Sequence, residues 1–111
     1  MPKFLAIYTG EPDKPGARPD DQVIAEGMKA WGDWMARYAS RIIDAGGPLG
    51  ATKKVTSAGV EDTHNAMAAY VIVEAEGHET AAQMFIDHPH FRIFPGLGVE
   101  VMPCLPVPSA P

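Results

Sequence analysis

Residues 20–47 read DDQVIAEGMKAWGDWMARYASRIIDAGG, and the period of their apolar positions sets the architecture. At about 100° per residue, Ile24, Gly27, Met28, Trp31, Trp34, Met35, Tyr38 and Ile42 fall on one arc. Glu26, Lys29, Asp33, Arg37, Ser40 and Asp44 gather opposite. The spacing predicts an amphipathic helix over residues 21–45. Asp20 or Asp21 accepts hydrogen bonds from its first free amides, and Gly46-Gly47 followed by Pro48 ends it.

Outward from this helix the pattern changes on both sides. Upstream, Gly10–Pro19 (GEPDKPGARP) holds three prolines and two glycines and reads as a loop. Before it, Lys3–Thr9 (KFLAIYT) is apolar at both alternating sets of positions, as in a central strand covered on both faces. Downstream, Thr52–Ser57 (TKKVTS) is β-prone but polar, with Lys53 and Lys54 suited to a sheet edge. Residues 58–66 read as a turn and Met67–Ala75 (MAAYVIVEA) as a buried strand. Ala81, Ala82, Phe85 and Ile86 place a second helix over Gly77–Asp87, ended by Pro89. Leu97–Cys104 closes as a strand, and Pro103, Pro106, Pro108 and Pro111 mark an extended tail over 103–111.

The order β-α-β-β-α-β, with right-handed crossovers, predicts an α+β, ferredoxin-like domain: a four-stranded antiparallel sheet with both helices on one face. The other face is then uncovered. A chain this small closes that face economically by pairing with itself, so the expected partner is a second copy, a homodimer.

Composition narrows the function. The chain has 111 residues, nine basic against fourteen acidic, and a net charge of −5. That is one domain, 1–111, with no basic stripe for nucleic acid. Its apolar runs are too short to cross a bilayer, and the N-terminus lacks a signal peptide's pattern, so no membrane partner and a cytoplasmic location are expected. The lone Cys104 forms no internal disulfide and fits a reducing compartment. There is no GxxxxGK loop, no GxGxxG after a strand and no GxSxG, so no cofactor is expected. Chemistry at such a site would be proton transfer or addition–elimination on a small organic molecule.

His88-Pro89-His90 is the most suggestive local feature, with two imidazoles held around a fixed backbone. A histidine near neutrality serves as general acid, general base or metal ligand. A cap on the carbonyls at the preceding helix end accounts for His88 equally well, so His90 is the first catalytic candidate and His88 the second. Zinc needs three or four ligands, and neither Asp87, Glu100, His64 nor His78 completes a recognisable spacing, so no metal is expected. Trp34, at the margin of the apolar arc, and Tyr8, at the end of the first strand, are candidate pocket walls. Gly47 and Pro48 have a backbone role at the helix exit and are candidates for the cleft floor.

Three features in this order, Gly46-Gly47-Pro48-Leu49-Gly50, His88-Pro89-His90-Phe91 and Gly98-Val99-Glu100-Val101, together with the opening strand, run nearly end to end. In them the chain resembles the YCII-related family. The resemblance implies a ferredoxin-like fold that associates as a dimeric α-β barrel, with a cofactor-free lyase or isomerase as the enzymatic expectation. Some members carry an acid–base histidine after an Arg-Pro pair, whereas Arg18-Pro19 is followed here by Asp20-Asp21-Gln22. Two functions follow: a helix–sheet cleft that binds a small polar or aromatic metabolite with histidine acid–base chemistry, or a non-catalytic ligand-binding, regulatory or accessory module.

Overall fold

Lys3–Thr9 (β1) lies in the interior of a sheet, as its two apolar faces require. It pairs antiparallel with Met67–Glu74 (β5) on one side and Gly98–Pro103 (β6) on the other. This computed structural model describes residues 1–10, 20–94 and 96–108. The loop expected over 10–19 and the last residues of the tail therefore lie, apart from Gly10, outside the described residues.

Register places Phe4, Ala6 and Tyr8 beside Val73, Val71 and Ala69 of β5, and beside Pro103, Val101 and Val99 of β6. These side chains share one face. The face is covered by Asp21–Arg37 (α1), by the short helix His78–Gln83 (α2) and by Pro89–Arg92 (α3). Phe4, Ala6, Tyr8, Val71, Val73, Trp34, Ala81 and Phe85 form the buried core. The Asp20 side chain caps α1 by accepting from the Val23 amide at 2.9 Å.

The helix ends earlier than its periodicity suggests. It stops at Arg37, Ala39–Arg41 forms one turn of 3-10 helix, and Ile42–Pro48 (β2) enters the sheet beside β5. Ile42 reaches the core from a strand opposite Val73 instead of from a fifth helical turn. The physical reason is pairing. Without β2, the outer side of β5 would carry a row of unsatisfied amides and carbonyls, and the β-branched pair Ile42-Ile43 fits a pleated edge better than a helix.

The strand is irregular, with register shifts on both sides of Asp44. Gly46 has φ +64°, and its amide donates to Asp44 Oδ1 at 2.8 Å. A Cβ at Gly46 would overlap the Tyr70 carbonyl, so only glycine fits this bulge.

Thr52–Thr56 (β3) is consequently not the second strand of the main sheet. It pairs with Gly59–Thr63 (β4), inside the stretch expected to be a turn, as a separate hairpin. The main sheet has the order β2-β5-β1-β6. With the hairpin as an insertion between its second and third strands, this is the antiparallel, ferredoxin-like α+β arrangement. The hairpin strands pack mainly on each other, and the radius of gyration is 16.0 Å, against about 13 Å for a compact chain near this length.

The second helix also differs from expectation. Helical bonding ends at Gln83, turns lead to Asp87, and Pro89 starts α3 instead of only stopping its predecessor. Proline suits a first helical position, where its missing N–H costs nothing.

Candidate functional site

The end of β1 delivers Tyr8 to the helix face, where α1 sets Trp31 and Trp34 and the start of α3 sets both histidines. His88 is fully buried, and Tyr8 and His90 nearly so. The His88 ring lies edge-on to Trp31, with centroids 4.5 Å apart, and packs against Trp34 and Tyr8 at 4.7 and 4.8 Å.

Hydrogen bonds assign the protons. His88 Nδ1 accepts from the His90 amide at 3.0 Å, capping α3. A neutral His88 therefore carries its proton on Nε2, which donates to the Tyr8 hydroxyl oxygen across 3.1 Å. His90 Nε2 faces the Thr9 carbonyl at 2.6 Å, so that nitrogen is the donor there. The histidine cap expected at the end of the preceding helix instead closes the beginning of the next one. His90, first choice as the acid–base group, spends one ring nitrogen in tying α3 to the end of β1.

Burial works against charge on this cluster. Desolvation, with a smaller contribution from His90, lowers the His88 pKa from its ordinary 6.5 to about 3. Burial pushes the Tyr8 phenol upward. Both groups are neutral at pH 7.

Beside this cluster a cavity of about 360 Å³ opens between α1, β2 and β5. Its walls include Tyr8, Trp31, Phe94, Tyr70, Gly47 and Pro48, with Met28, Ala45 and Ala69 completing the lining. None of these residues carries a charge. Phe94 reaches the wall because a Cβ at Gly27 would overlap its ring, so this helical glycine makes room for an aromatic side chain. Gly47 differs from its neighbour Gly46: a Cβ there would meet nothing within 4 Å.

Of the residues expected to form a cleft, Tyr8, Gly47 and Pro48 are brought together on this wall. Trp34 is not. Its indole Nε1 donates to the Met84 carbonyl at 2.8 Å, and its ring stacks obliquely on Phe85 in the core. Trp31, one turn earlier on the same arc, takes the wall position. Phe94 and Tyr70 went unmarked in the sequence reading; the signal for Phe94 was Gly27, an otherwise costly residue on a buried helical arc. His88 and His90 lie behind Tyr8, outside the cavity lining.

A second cavity, of about 330 Å³, lies at the base of the hairpin among Gly10, Leu49, Thr52, Thr63 and Asn65, and contains none of the expected site residues. Among the described residues no group of three or more His, Cys, Asp or Glu side chains is placed to hold a metal ion. Among them, too, no helix is long and apolar enough to cross a membrane.

No protein-family model matches the chain, and no curated protein does. Among solved structures the chain is similar to 5-chloro-2-hydroxyhydroquinone dehydrochlorinase from Burkholderia phenoliruptrix AC1100, in its complex with 2,5-dihydroxybenzoquinone. The two are 21% identical, the match covers 90% of each chain, and the TM-score is 0.56. At that identity the likeness speaks to the fold, which is the ferredoxin-like arrangement described above.

Proposed function

We propose that this chain is a homodimeric, YCII-related protein that binds a small polar or aromatic molecule in the cavity between α1 and the sheet. The observation that carries the reading is the cavity itself: about 360 Å³, walled by aromatic rings, with two phenols, Tyr8 and Tyr70, the Tyr8 hydroxyl being backed by a buried histidine. Binding sites of this kind are mostly apolar with a few placed polar groups. A protein of the same fold in complex with a small dihydroxylated ring is in keeping with it. The sheet face opposite the helices, with Leu5, Ile72 and Met102, is the surface for the second copy, and the lone Cys104 suits the cytoplasm.

In its enzymatic form this site performs cofactor-free lyase or isomerase chemistry, with His88 acting through Tyr8 on a ligand oxygen and His90 holding the end of β1. In its other form it binds without turnover. The environment favours the binding form, because general acid–base catalysis works best with a pKa near the operating pH, and His88 is held far below it. In either form Tyr8 and His88 stabilise charge by hydrogen bonding more readily than they move a proton.

The test is a titration with hydroquinone followed by NMR at the Trp31 indole, in wild type and in Gly47→Leu. The leucine grows into open space, so the fold is expected to survive while the cavity is filled. A shift at Trp31 that weakens at least about tenfold in the variant supports the site. No shift at Trp31, or equal binding by both proteins, overturns it.

A further inference from the structure

We infer that the cavity selects uncharged planar rings bearing a carbonyl oxygen, and that the Tyr8 hydroxyl is the donor that holds this oxygen. The inference rests on the cavity being a ligand site and names the class of ligand it takes.

The His90 amide sets the polarity of this site. By donating to His88 Nδ1 it leaves His88 only Nε2 as a proton carrier, and that proton is directed at the Tyr8 oxygen. Tyr8 is thus made an acceptor from behind. A phenol has one proton of its own, and among the described residues no hydrogen bond uses it. Tyr8 is 2% exposed, so bulk water is not its general partner, yet it lines the cavity. A hydroxyl that accepts one bond is polarised into a better donor for the next. Tyr8 therefore offers a ligand an O–H seeking an acceptor, whereas the Tyr70 hydroxyl on the same wall has no such partner fixing its direction among the described residues.

The remaining walls decide the charge of that acceptor. Carboxylates and phosphates are recognised by Arg, Lys or clustered backbone amides, and among the described residues no cationic side chain lines this cavity. Taking an anion out of water against Trp31, Phe94 and Met28, with neutral phenols as the side-chain donors, leaves it poorly compensated. A carbonyl loses much less on entry and gains the Tyr8 bond. Flat aromatic walls favour a ring over an aliphatic chain of equal size. Buried neutrality of both Tyr8 and His88 agrees with this selection, since neither offers a charge to pair.

Three probes of similar size separate the outcomes: acetophenone with a neutral carbonyl, ethylbenzene with none, and benzoate with a charge. Dissociation constants are read from the Trp31 indole signal. Acetophenone is expected to bind about fivefold more tightly than ethylbenzene, the range of one net hydrogen bond. Benzoate is expected to bind more weakly than either. In Tyr8→Phe the acetophenone advantage falls to about one while ethylbenzene binding is retained, which also shows that the cavity has survived. Should the variant lose the cavity, the carbonyl ¹³C signal of acetophenone bound to wild type reads the same bond, expected downfield of its position in hexane. Rings that bind with no carbonyl preference, a carbonyl signal as in hexane, or benzoate binding best overturn the inference and leave the site standing. Failure of all three probes to bind overturns the site and the inference with it.

Discussion

Two regions of this molecule hold polar groups at similar distances and in opposite surroundings. Behind the cavity, Tyr8, His88, His90 and the Thr9 carbonyl are joined by bonds of 2.6–3.1 Å, and the three side chains are all but removed from water. In the β3–β4 hairpin, Lys53 and Asp62 meet at 2.6 Å and Lys54 and Glu61 at 4.0 Å, with every one of these side chains more than half exposed. The consequence of a contact here is set by what replaces it. Water takes over at once in the hairpin. Nothing takes over behind Tyr8, where a lost partner leaves a buried polar atom alone.

The largest effect expected from breaking this contrast is at His88. His88→Ala removes a ring packed against Tyr8, Trp31, Trp34 and Phe85, and strands the His90 amide and the Tyr8 hydroxyl. A loss of about 3–5 kcal/mol in urea denaturation is expected, from cavity and unsatisfied groups together. A loss below about 1 kcal/mol would mean that the cluster is looser than described.

The smallest effect is expected in the hairpin. Lys53→Ala, alone or with Asp62→Ala, should change stability by less than about 0.5 kcal/mol, and less still in high salt. A change above about 1 kcal/mol would show that the hairpin is tied to the rest of the molecule more firmly than its exposure implies.

Much of the fold was legible because apolar runs leave a plain mark. β1 and β5 declare themselves by apolar residues at successive positions, β6 by Val99 and Val101 on one face, and α1 begins at the acidic cap its pattern suggests. The end of α1 was not legible, for a specific reason. Ile42 lies on the helical arc of Trp31 and Tyr38 and also on the core face of β2, so periodicity runs across the boundary without a break. The hairpin misled in the opposite way: Thr52–Thr56 has strand composition but no apolar face, and among the described residues its strand partner is its own continuation. Lys53 and Lys54 opposite Asp62 and Glu61 were the available signal.

The site follows the same division. Tyr8, Gly47 and Pro48 meet on one cavity wall because a strand end and a glycine turn are places where backbones leave space. Trp31 and Trp34 could not be told apart, since three helical residues separate them by only about 60° of arc and the roll of α1 on the sheet decides which faces the cavity. The two histidines were recognisable as a pair. Their roles depend on the Thr9 carbonyl and the Tyr8 hydroxyl, some eighty residues away in the chain, and no local pattern carries that.

The cavity wall depends on His88 being neutral, protonated on Nε2, and turning Tyr8 into a donor. Nitrogen-15 NMR of the histidine side chains through an acid titration reads this state. His88 is expected to show a bare Nδ1 and a protonated Nε2 and not to titrate until the pH approaches about 3. Linkage fixes the accompanying sign. Below pH 6.5 the unfolded chain takes up a proton at this residue that the folded chain refuses, so stability is full above 6.5 and falls as the pH drops toward 3. A His88 that titrates near 6.5, or carries its proton on Nδ1, would contradict the claim.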